Sequence, residues 1–328
     1  MAGGVDLKRI ADFRKNMAAT LGKVIVGQAA TIDHVVVALL TGGHVLLTGG
    51  AATAKGLLVQ CLASSAKLDF KRIQFTPDLM PSDITGTEIL EEEMNSGRRF
   101  NRFVSGPIFT NLLMADEINR TPPKTQAALL EAMQEKQVTT GGVSRPLPKP
   151  FFVMATKTSV ETDGTYALPE AQQDRFMLNI EIPLLSEDDE VRVVLDDPSA
   201  RAGEIEPIVD GPQLLEFQQA VRDVAIPSAV QQYIVDLCTA SRPGATGAIE
   251  TVTRYVAWGA GVRATQCLAL GCKALAALDA RASASANDVK AIALPVMRHR
   301  IGVNFRAEND GIDSSKLVAM LIESVKAP

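Results

Sequence analysis

Two hydrophobic periods alternate along the first half of the chain. Apolar residues at three- and four-residue intervals predict helices over 6–21, 29–40, 55–66 and 124–135. Short apolar or mixed runs predict strands over 44–48, 70–75, 111–115 and 150–155. Because strands and helices alternate, we expect a parallel sheet with helices on both faces. The predicted fold class is therefore α/β, with an αβα core.

Two stretches interrupt this alternation. Residues 84–103 indicate a hairpin-like insert, and residues 138–149, which contain a Gly-Gly pair and two prolines, indicate a second excursion from the sheet. Thr121 before Pro122 predicts a helix start capped by the threonine hydroxyl. From Ser186 onwards the period is helical, so we expect a core domain over 1–185 and an all-helical domain over 186–328.

Composition and charge exclude several classes of protein. With 328 residues, 46% of them hydrophobic, the chain can bury the cores of about two domains. A net charge of −5 opposes binding to nucleic acid, and the cluster of Arg98, Arg99 and Arg102 is better explained as a solvated hairpin face. No secretory signal and no apolar run long enough for a bilayer are present, so we expect a cytoplasmic protein.

The cysteines do not indicate a metal site or a disulfide framework. Their spacing is irregular and each lies in an apolar run: Cys61, Cys238, Cys267 and Cys272. We expect them to be reduced core residues.

The segment 49–56, Gly-Gly-Ala-Ala-Thr-Ala-Lys-Gly, lies where a phosphate-binding loop would lie, between a buried strand and a helix. Lys55 has the position of the lysine that reaches the phosphates, but Gly56 replaces the hydroxyl residue that binds Mg²⁺. Ala52 and Ala54 stand where glycines would relieve steric pressure, and Thr53 is expected to point away from the lysine. Taken alone, this loop favours an ordinary strand–turn–helix connection.

An acidic pair follows the third predicted strand. Asp116 and Glu117 suit an aspartate that orients hydrated Mg²⁺ and a glutamate that activates an attacking water. An acidic turn at a strand end is an equally good interpretation of these two residues by themselves.

A longer pattern changes the balance between these alternatives. The stretch 106–133, GPIFTNLLMADEINRTPPKTQAALLEAM, closely resembles MoxR-type AAA+ ATPases, and so do 74–86, 164–176 and 298–301. The resemblance covers nearly the whole chain. It implies an αβα nucleotide-binding domain with an insert and a hairpin, a helical lid, and a homo-oligomeric ring, usually a hexamer, with ATP and Mg²⁺ between subunits.

The resemblance also implies individual roles. Arg175 would be the arginine finger that reaches a neighbour's γ-phosphate, Arg263 the lid arginine, and Gln28 a residue against the adenine. Thr158 stands where the family usually has a catalytic asparagine. Alternatively, Arg175 is an ion-pair partner of Asp174 or Glu170, and Gln28 belongs to a helix-start turn. The implied nucleotide loop comprises Gly49, Gly50, Ala51, Ala52, Thr53, Ala54, Lys55, Gly56 and Leu57, and the implied Mg²⁺ ligand is Asp116.

Three functions are consistent with these features. The first is an ATP-driven ring chaperone that assembles partner complexes or inserts metal, often beside proteins with von Willebrand factor A domains, and here with reduced activity. The second is a pseudo-ATPase scaffold subunit, favoured by the changes at Ala52, Gly56 and Thr158. The third, a DNA-directed motor, is opposed by the acidic charge.

Overall fold

A computed structural model describes residues 6–50, 53–92, 99–158, 165–195, 198–245 and 248–328. Within these ranges, no helix combines the length and the hydropathy that crossing a membrane requires.

The core of the fold is a five-stranded parallel sheet with the strand order β2–β5–β8–β1–β9. Its strands are β1 (Val45–Gly49), β2 (Phe70–Gln74), β5 (Leu112–Asp116), β8 (Phe152–Thr158) and β9 (Leu178–Glu181). The remaining strands form two-stranded antiparallel pairs: β3 (Gly86–Glu92) with β4 (Arg99–Ser105), β6 (Gln137–Thr140) with β7 (Val143–Pro146), and β10 (Val256–Trp258) with β11 (Gly302–Val303).

Helices cover both faces of the sheet and make up most of the C-terminal part. The first six are α1 (Leu7–Leu21), α2 (Ala29–Thr41), α3 (Lys55–Ser65), α4 (Pro81–Thr85), α5 (Pro123–Glu135) and α6 (Glu170–Gln173). The next eight are α7 (Glu187–Leu195), α8 (Gly211–Asp223), α9 (Ser228–Ala240), α10 (Glu250–Tyr255), α11 (Val262–Leu278), α12 (Ala286–Met297), α13 (Phe305–Asn309) and α14 (Ser314–Ser324). Ile118–Arg120 and Pro198–Glu204 are 3-10 helices.

The two-residue period of the strands divides the core into two layers. On β1, Val45 and Leu47 pack with α1, α2, α3 and the C-terminal helices, whereas Leu46 packs with α5 on the opposite face. Both layers exclude solvent, since all three of these side chains are fully buried. This burial explains why β1 has an almost uniformly apolar sequence.

The register of the sheet places β8 between the two strands that end in functional candidates. Val45 of β1 and Met114 of β5 both pair with Met154 of β8. All three strands are parallel, so the carboxyl ends of β1 and β5 meet at one edge of the sheet. The loop after β1 and the acids at the end of β5 are therefore one strand apart.

The two hairpins contact each other. Arg145 of β7 forms an ion pair with Glu88 of β3 at 3.2 Å, and its guanidinium lies 3.9 Å from the ring centroid of Phe103 on β4. The arginines of the insert form cross-strand ion pairs where the sequence predicted a solvated face: Arg99 with Glu92 and Arg102 with Glu91, both at 2.9 Å. Arg98 lies outside the described residues.

Most of the predicted elements are present within a few residues of their expected bounds, and the α/β fold class with a helical lid is confirmed. Strand β9 was missed, and the small β10–β11 pair adds strand structure to the otherwise helical C-terminal part. The prediction for Thr121 was wrong, because its hydroxyl bonds Ile118 O at 3.2 Å and Pro122 is the N-cap of α5.

All four cysteines are free thiols.

His44, just before β1, joins three elements. Its Nδ1 accepts a hydrogen bond from Val153 N at 3.0 Å, and its Nε2 lies 3.3 Å from Met133 O. Because Nδ1 accepts, Nε2 carries the proton of the neutral ring. Burial lowers the pKa of His44 from 6.5 to about 4, although the Met133 carbonyl acts in the opposite direction.

This pKa predicts acid sensitivity. The unfolded chain takes up a proton near pH 6.5 while the folded His44 does not, so stability falls as the pH is lowered from 6.5 towards 4. Once the unfolded residue is fully protonated, the free energy of unfolding is lower by about 3 kcal/mol. In His44→Gln, urea denaturation at several pH values should give a shallower loss over this window. Parallel curves for the variant and the wild type would contradict the assignment.

Candidate functional site

The loop after β1 wraps around the amine of Lys55. Its Nζ donates to Gly49 O at 3.2 Å, to Gly50 O at 2.6 Å and to Thr53 Oγ1 at 3.0 Å. The expectation that Thr53 points away from the lysine was wrong, because its hydroxyl also bonds Gly50 O at 3.1 Å and so closes the turn. In this arrangement the lysine uses its three protons within the loop.

The backbone of the loop is strained where α3 begins. Ala54, the N-cap of α3, has φ 53° and ψ 24°, a left-handed conformation that disfavours a residue with a Cβ. Gly49 has no room for a side chain, since a Cβ there would lie 2.8 Å from Ile182 O, whereas Gly50 faces open space. Leu57 is half-buried in the first turn of α3, and Ala51 and Ala52 lie outside the described residues.

Asp116 ends β5 and has two partners. Thr156 of β8 donates from Oγ1 to Asp116 Oδ1 at 2.6 Å, and Arg72 of β2 binds Oδ2 through Nε at 3.1 Å and through Nη2. The carboxylate is nearly buried. These contacts come from both neighbouring strands, so the sheet itself orients Asp116.

Glu117 follows in a left-handed conformation with φ 57° and ψ 49°. Its backbone N–H donates to Thr156 Oγ1 at 2.7 Å, and its Oε2 accepts from Gln74 Nε2 at 2.6 Å. Arg120 lies 3.3 Å from the same oxygen. Thr156 therefore holds the side chain of one acid and the backbone of the other, and the strained turn aims Glu117 away from the strand.

The lysine and the two acids share one electrostatic environment. Burial lowers the pKa of Lys55, and the charges of Asp116 and Glu117 oppose that effect. A Cβ on Gly56 would lie 3.7 Å from the Met114 methyl carbon, so the first turn of α3 lies over β5. The three charged groups thus converge at one edge of the sheet.

The residues at this edge partly fit a magnesium nucleotide. The N-terminus of α3 and the open side of Gly50 offer space and backbone N–H groups for phosphate oxygens. In the described parts of the chain, no group of three or more metal-binding side chains occurs. A Mg²⁺ ion would depend on Asp116, phosphate oxygens and water, because Gly56 offers no hydroxyl.

The two arginines of the site lie apart from the lysine. Arg175 precedes β9, whose Leu178 pairs with Val45 at the start of β1, whereas Lys55 follows the end of β1. At about 3.3 Å per residue, the four steps from Val45 to Gly49 already place the start of β9, which Arg175 precedes, about 13 Å from the loop along the strand direction. Asp174 does not pair with Arg175; it binds Arg263 at 3.5 Å and Arg300 at 2.7 Å.

The Arg175 guanidinium itself has no ion pair or side-chain hydrogen bond with the residues that the structure describes. The alternative interpretation of Arg175 as a partner of Asp174 or Glu170 is therefore not seen. Arg263 stands in the first turn of α11 and is linked to the Arg175 segment through Asp174.

Gln28 lies beside a cavity, whereas only the backbone of Thr158 is described. Gln28 is 6% exposed and lines a cavity of about 350 Å³ beside the carboxyl end of β9. Glu181 and Pro295 also line this cavity, so both parts of the chain contribute to it. Gln28 is also the N-cap position of α2, which fits the helix-start alternative. The backbone of Thr158 pairs with Gly49, and its side chain lies outside the described residues.

Sequence reasoning missed four residues of this site: Arg72, Gln74, Thr156 and Asp174. One signal was available, because Arg72 and Gln74 are two residues apart on β2 and so face the same side of the sheet. Thr156 could not be recognised from the sequence, since its role depends on the pairing of β8 with β5.

Comparison with known proteins adds independent observations. The description "ATPase family associated with various cellular activities (AAA)" matches residues 44–178, and an AAA lid domain matches 250–320. Chaperone MoxR1 of Mycobacterium tuberculosis is 36% identical over 93% of this chain and 80% of its own length. Protein MoxR of Paracoccus denitrificans is 32% identical over 88% of both chains. This chain belongs to the MoxR family of AAA ATPases.

A solved structure agrees with this family. The crystal structure of a candidate ATPase from Cytophaga hutchinsonii is similar with a TM-score of 0.87 at 38% identity, and the match covers 98% of this chain and 97% of the other. The likeness therefore includes both the MoxR-type core and the lid.

Thr156→Val tests the arrangement of the acidic pair. The change keeps the shape of the side chain but removes the hydroxyl between Asp116 and Glu117, and it leaves the Glu117 N–H without its partner. We expect a loss of about 1–3 kcal/mol in unfolding free energy, measured by urea denaturation. Thr139→Val, at an exposed hairpin hydroxyl, is the control and should have little effect. Equal stabilities of both variants would contradict a structural role for this hydroxyl.

Proposed function

We propose that this protein is a ring-forming ATPase of the MoxR type that acts as a chaperone in the assembly of partner complexes or in metal insertion. The observation that carries the proposal is the convergence of Lys55, Asp116 and Glu117 at the carboxyl edge of one sheet. A positive loop at a helix N-terminus beside two carboxylates is suited to a nucleoside triphosphate with Mg²⁺.

Each residue has a distinct role in this proposal. Lys55 exchanges its loop oxygens for phosphate oxygens, and the amides of the first turn of α3 bind the same anion. Asp116 orients the hydrated Mg²⁺ ion, which would neutralise phosphate charge when bound. Glu117 accepts a proton from the attacking water after leaving Gln74. The cavity beside Gln28 accommodates the base.

The distance between Arg175 and the loop supports a site shared by two subunits. Within one chain they lie at opposite edges of the sheet, so Arg175 can reach a γ-phosphate only in a neighbouring copy. Its guanidinium is half-buried and uncommitted within the described chain, as a group that binds in another subunit should be. A homo-oligomeric ring, of six subunits by family resemblance, provides such a neighbour, and Arg263 would act beside Arg175.

A reduced rate is part of the proposal. Gly56 supplies no hydroxyl to Mg²⁺, and Thr158 replaces an asparagine amide by a single hydroxyl. These changes also support the second candidate, a scaffold subunit that binds nucleotide weakly or not at all. In favour of that alternative, Lys55 and Asp116 are both satisfied by internal partners.

The proposed client is a protein. The name of the Mycobacterium tuberculosis relative, Chaperone MoxR1, supports a protein client. The family resemblance supports a von Willebrand factor A domain partner, and the cytoplasmic location is proposed from the sequence alone. The net charge of −5 argues against a nucleic-acid substrate.

Gly56→Thr tests the missing metal ligand. The space towards Met114 admits a side chain, so the new hydroxyl should strengthen ATP binding in the presence of Mg²⁺ by roughly three- to tenfold. Fluorescent ATP titrations with Mg²⁺ and with EDTA measure this effect. Gly56→Ala, which fills the space without a hydroxyl, is the matched control. The same affinity for both variants would show that a missing hydroxyl does not limit metal binding.

Glu117→Gln separates the two candidate functions. Loss of the general base should reduce phosphate release at least about 100-fold while ATP binding persists. Glu135→Gln, at an exposed position of α5, is the control. If the wild type forms rings but releases no phosphate, the scaffold function is favoured. A wild-type rate in Glu117→Gln would exclude the proposed role of this carboxylate.

A further inference from the structure

Arg300, just after α12 in the C-terminal part, is a buried charged side chain with a hydrogen-bond acceptor for each of its N–H groups. Its side chain is only 2% exposed. Nε donates to Asp174 Oδ1 at 2.7 Å, and Nη2 donates to Asp174 O at 3.0 Å and to Phe176 O at 2.6 Å. Nη1 donates to Met177 O at 3.1 Å and to Val296 O. Four of these five acceptors belong to the residues on either side of Arg175.

The geometry of these bonds restricts the Arg175 segment. A guanidinium has five N–H groups, and five oxygens accept them here. A buried charge is costly unless it is paired and hydrogen-bonded, so the segment cannot shift without leaving N–H groups unsatisfied. A lysine has three donors and lacks the planar fork, and it could not make the same set of bonds.

The same cluster also holds the lid arginine. The second oxygen of Asp174 binds Arg263 at 3.5 Å, and Arg300 Nη2 lies 3.6 Å from Cys267 Sγ, one turn further along α11. His299 Nε2 lies 3.1 Å from Phe176 O. Burial lowers the pKa of His299 well below its ordinary value, so the ring is neutral and donates this bond from Nε2.

We propose that Arg300 is a positioning residue that fixes Arg175, and through Asp174 also Arg263, in the geometry needed to contact nucleotide bound by a neighbouring subunit. The inference rests on the proposed function of Arg175. Because Arg300 belongs to the lid part of the chain and four of its five acceptors precede β9, the lid and the Arg175 segment move as one body. A movement of the lid in one subunit therefore displaces Arg175 at the next subunit's phosphates.

Nucleotide hydrolysis by variants gives the first test. We expect Arg300→Lys and Asp174→Ala to lower phosphate release as far as Arg175→Ala does, while ring mass and ATP affinity remain those of the wild type. Adding Arg300→Lys to the double variant Arg175→Ala, Arg263→Ala should cause no further loss, because Arg300 acts through these two arginines. Arg281→Lys is the matched control, because Arg281 forms a comparable pair with the buried Asp288 at the other end of α12. A further loss in this triple variant would show that Arg300 acts independently of Arg175 and Arg263.

Mixed rings give a readout that a purely structural defect would not produce. Lys55→Ala subunits lack the loop amine but keep Arg175, and Arg300→Lys subunits keep the loop. In an equal mixture, about a quarter of random neighbouring pairs combine an intact loop with a well-placed Arg175 and should regain activity. Absence of any recovery, with mixed rings verified by mass, would contradict the proposal.

Hydrogen exchange tests whether Arg300 holds the Arg175 segment in place, and this test does not rely on hydrolysis. In Arg300→Lys, the amides of residues 175–178 should exchange about tenfold faster or more than in the wild type, and Arg281→Lys should leave them unchanged. Asp174→Ala provides the same comparison if Arg300→Lys fails to fold. Unchanged exchange in this segment would overturn the positioning role. If the wild type does not hydrolyse ATP but shows the expected exchange pattern, the proposed ATPase function is rejected and the positioning role of Arg300 is retained.

Discussion

The parallel pairing of β5, β8 and β1 is the constraint on which the rest of this structure depends. Parallel strands have their carboxyl ends at one edge, and the register through Met154 places the end of β5 within two residues of the level at which β1 ends. The amine of Lys55 and the carboxylates of Asp116 and Glu117 are far apart in sequence, and only this pairing makes them neighbours. Thr156 on the strand between them then bonds both acids.

The backbone at this site is strained, and the charged side chains already form bonds within the protein. Ala54 and Glu117 both adopt left-handed conformations, each at the point where a strand gives way to a helix or turn. The surrounding hydrogen bonds offset the cost, since Thr53 closes one turn and Thr156 anchors the other. Lys55, Asp116 and Glu117 each have protein partners that a nucleotide with Mg²⁺ would have to replace. In the proposed function, nucleotide binding would therefore compete with these hydrogen bonds, at a loop where Gly56 offers Mg²⁺ no hydroxyl.

The carboxyl and amino ends of the strands carry different candidate residues. The carboxyl edge gathers the groups suited to phosphate, whereas the amino edge of β9 carries an arginine without a partner in the described chain. Arg300 binds this second region to the C-terminal helices through carbonyl oxygens rather than through side chains alone. Such bonds transmit position, because a backbone held at several points cannot rotate independently. In the proposed ring, the lid would therefore be held to the surface that faces a neighbouring subunit.

The sequence by itself determined the α/β class, most element positions and the two hairpins, and it marked the lysine and the two acids as candidates. Hydrophobic period and turn residues are local, and a long motif is read directly from the chain. Strand β9 was missed because its four residues alternate too briefly to stand out. The roles of Arg72, Thr156, Asp174 and Arg300 were decided only by tertiary structure. Each acts by bonding a residue distant in sequence, and neither strand register nor the direction of a loop hydroxyl such as that of Thr53 is encoded in a local pattern.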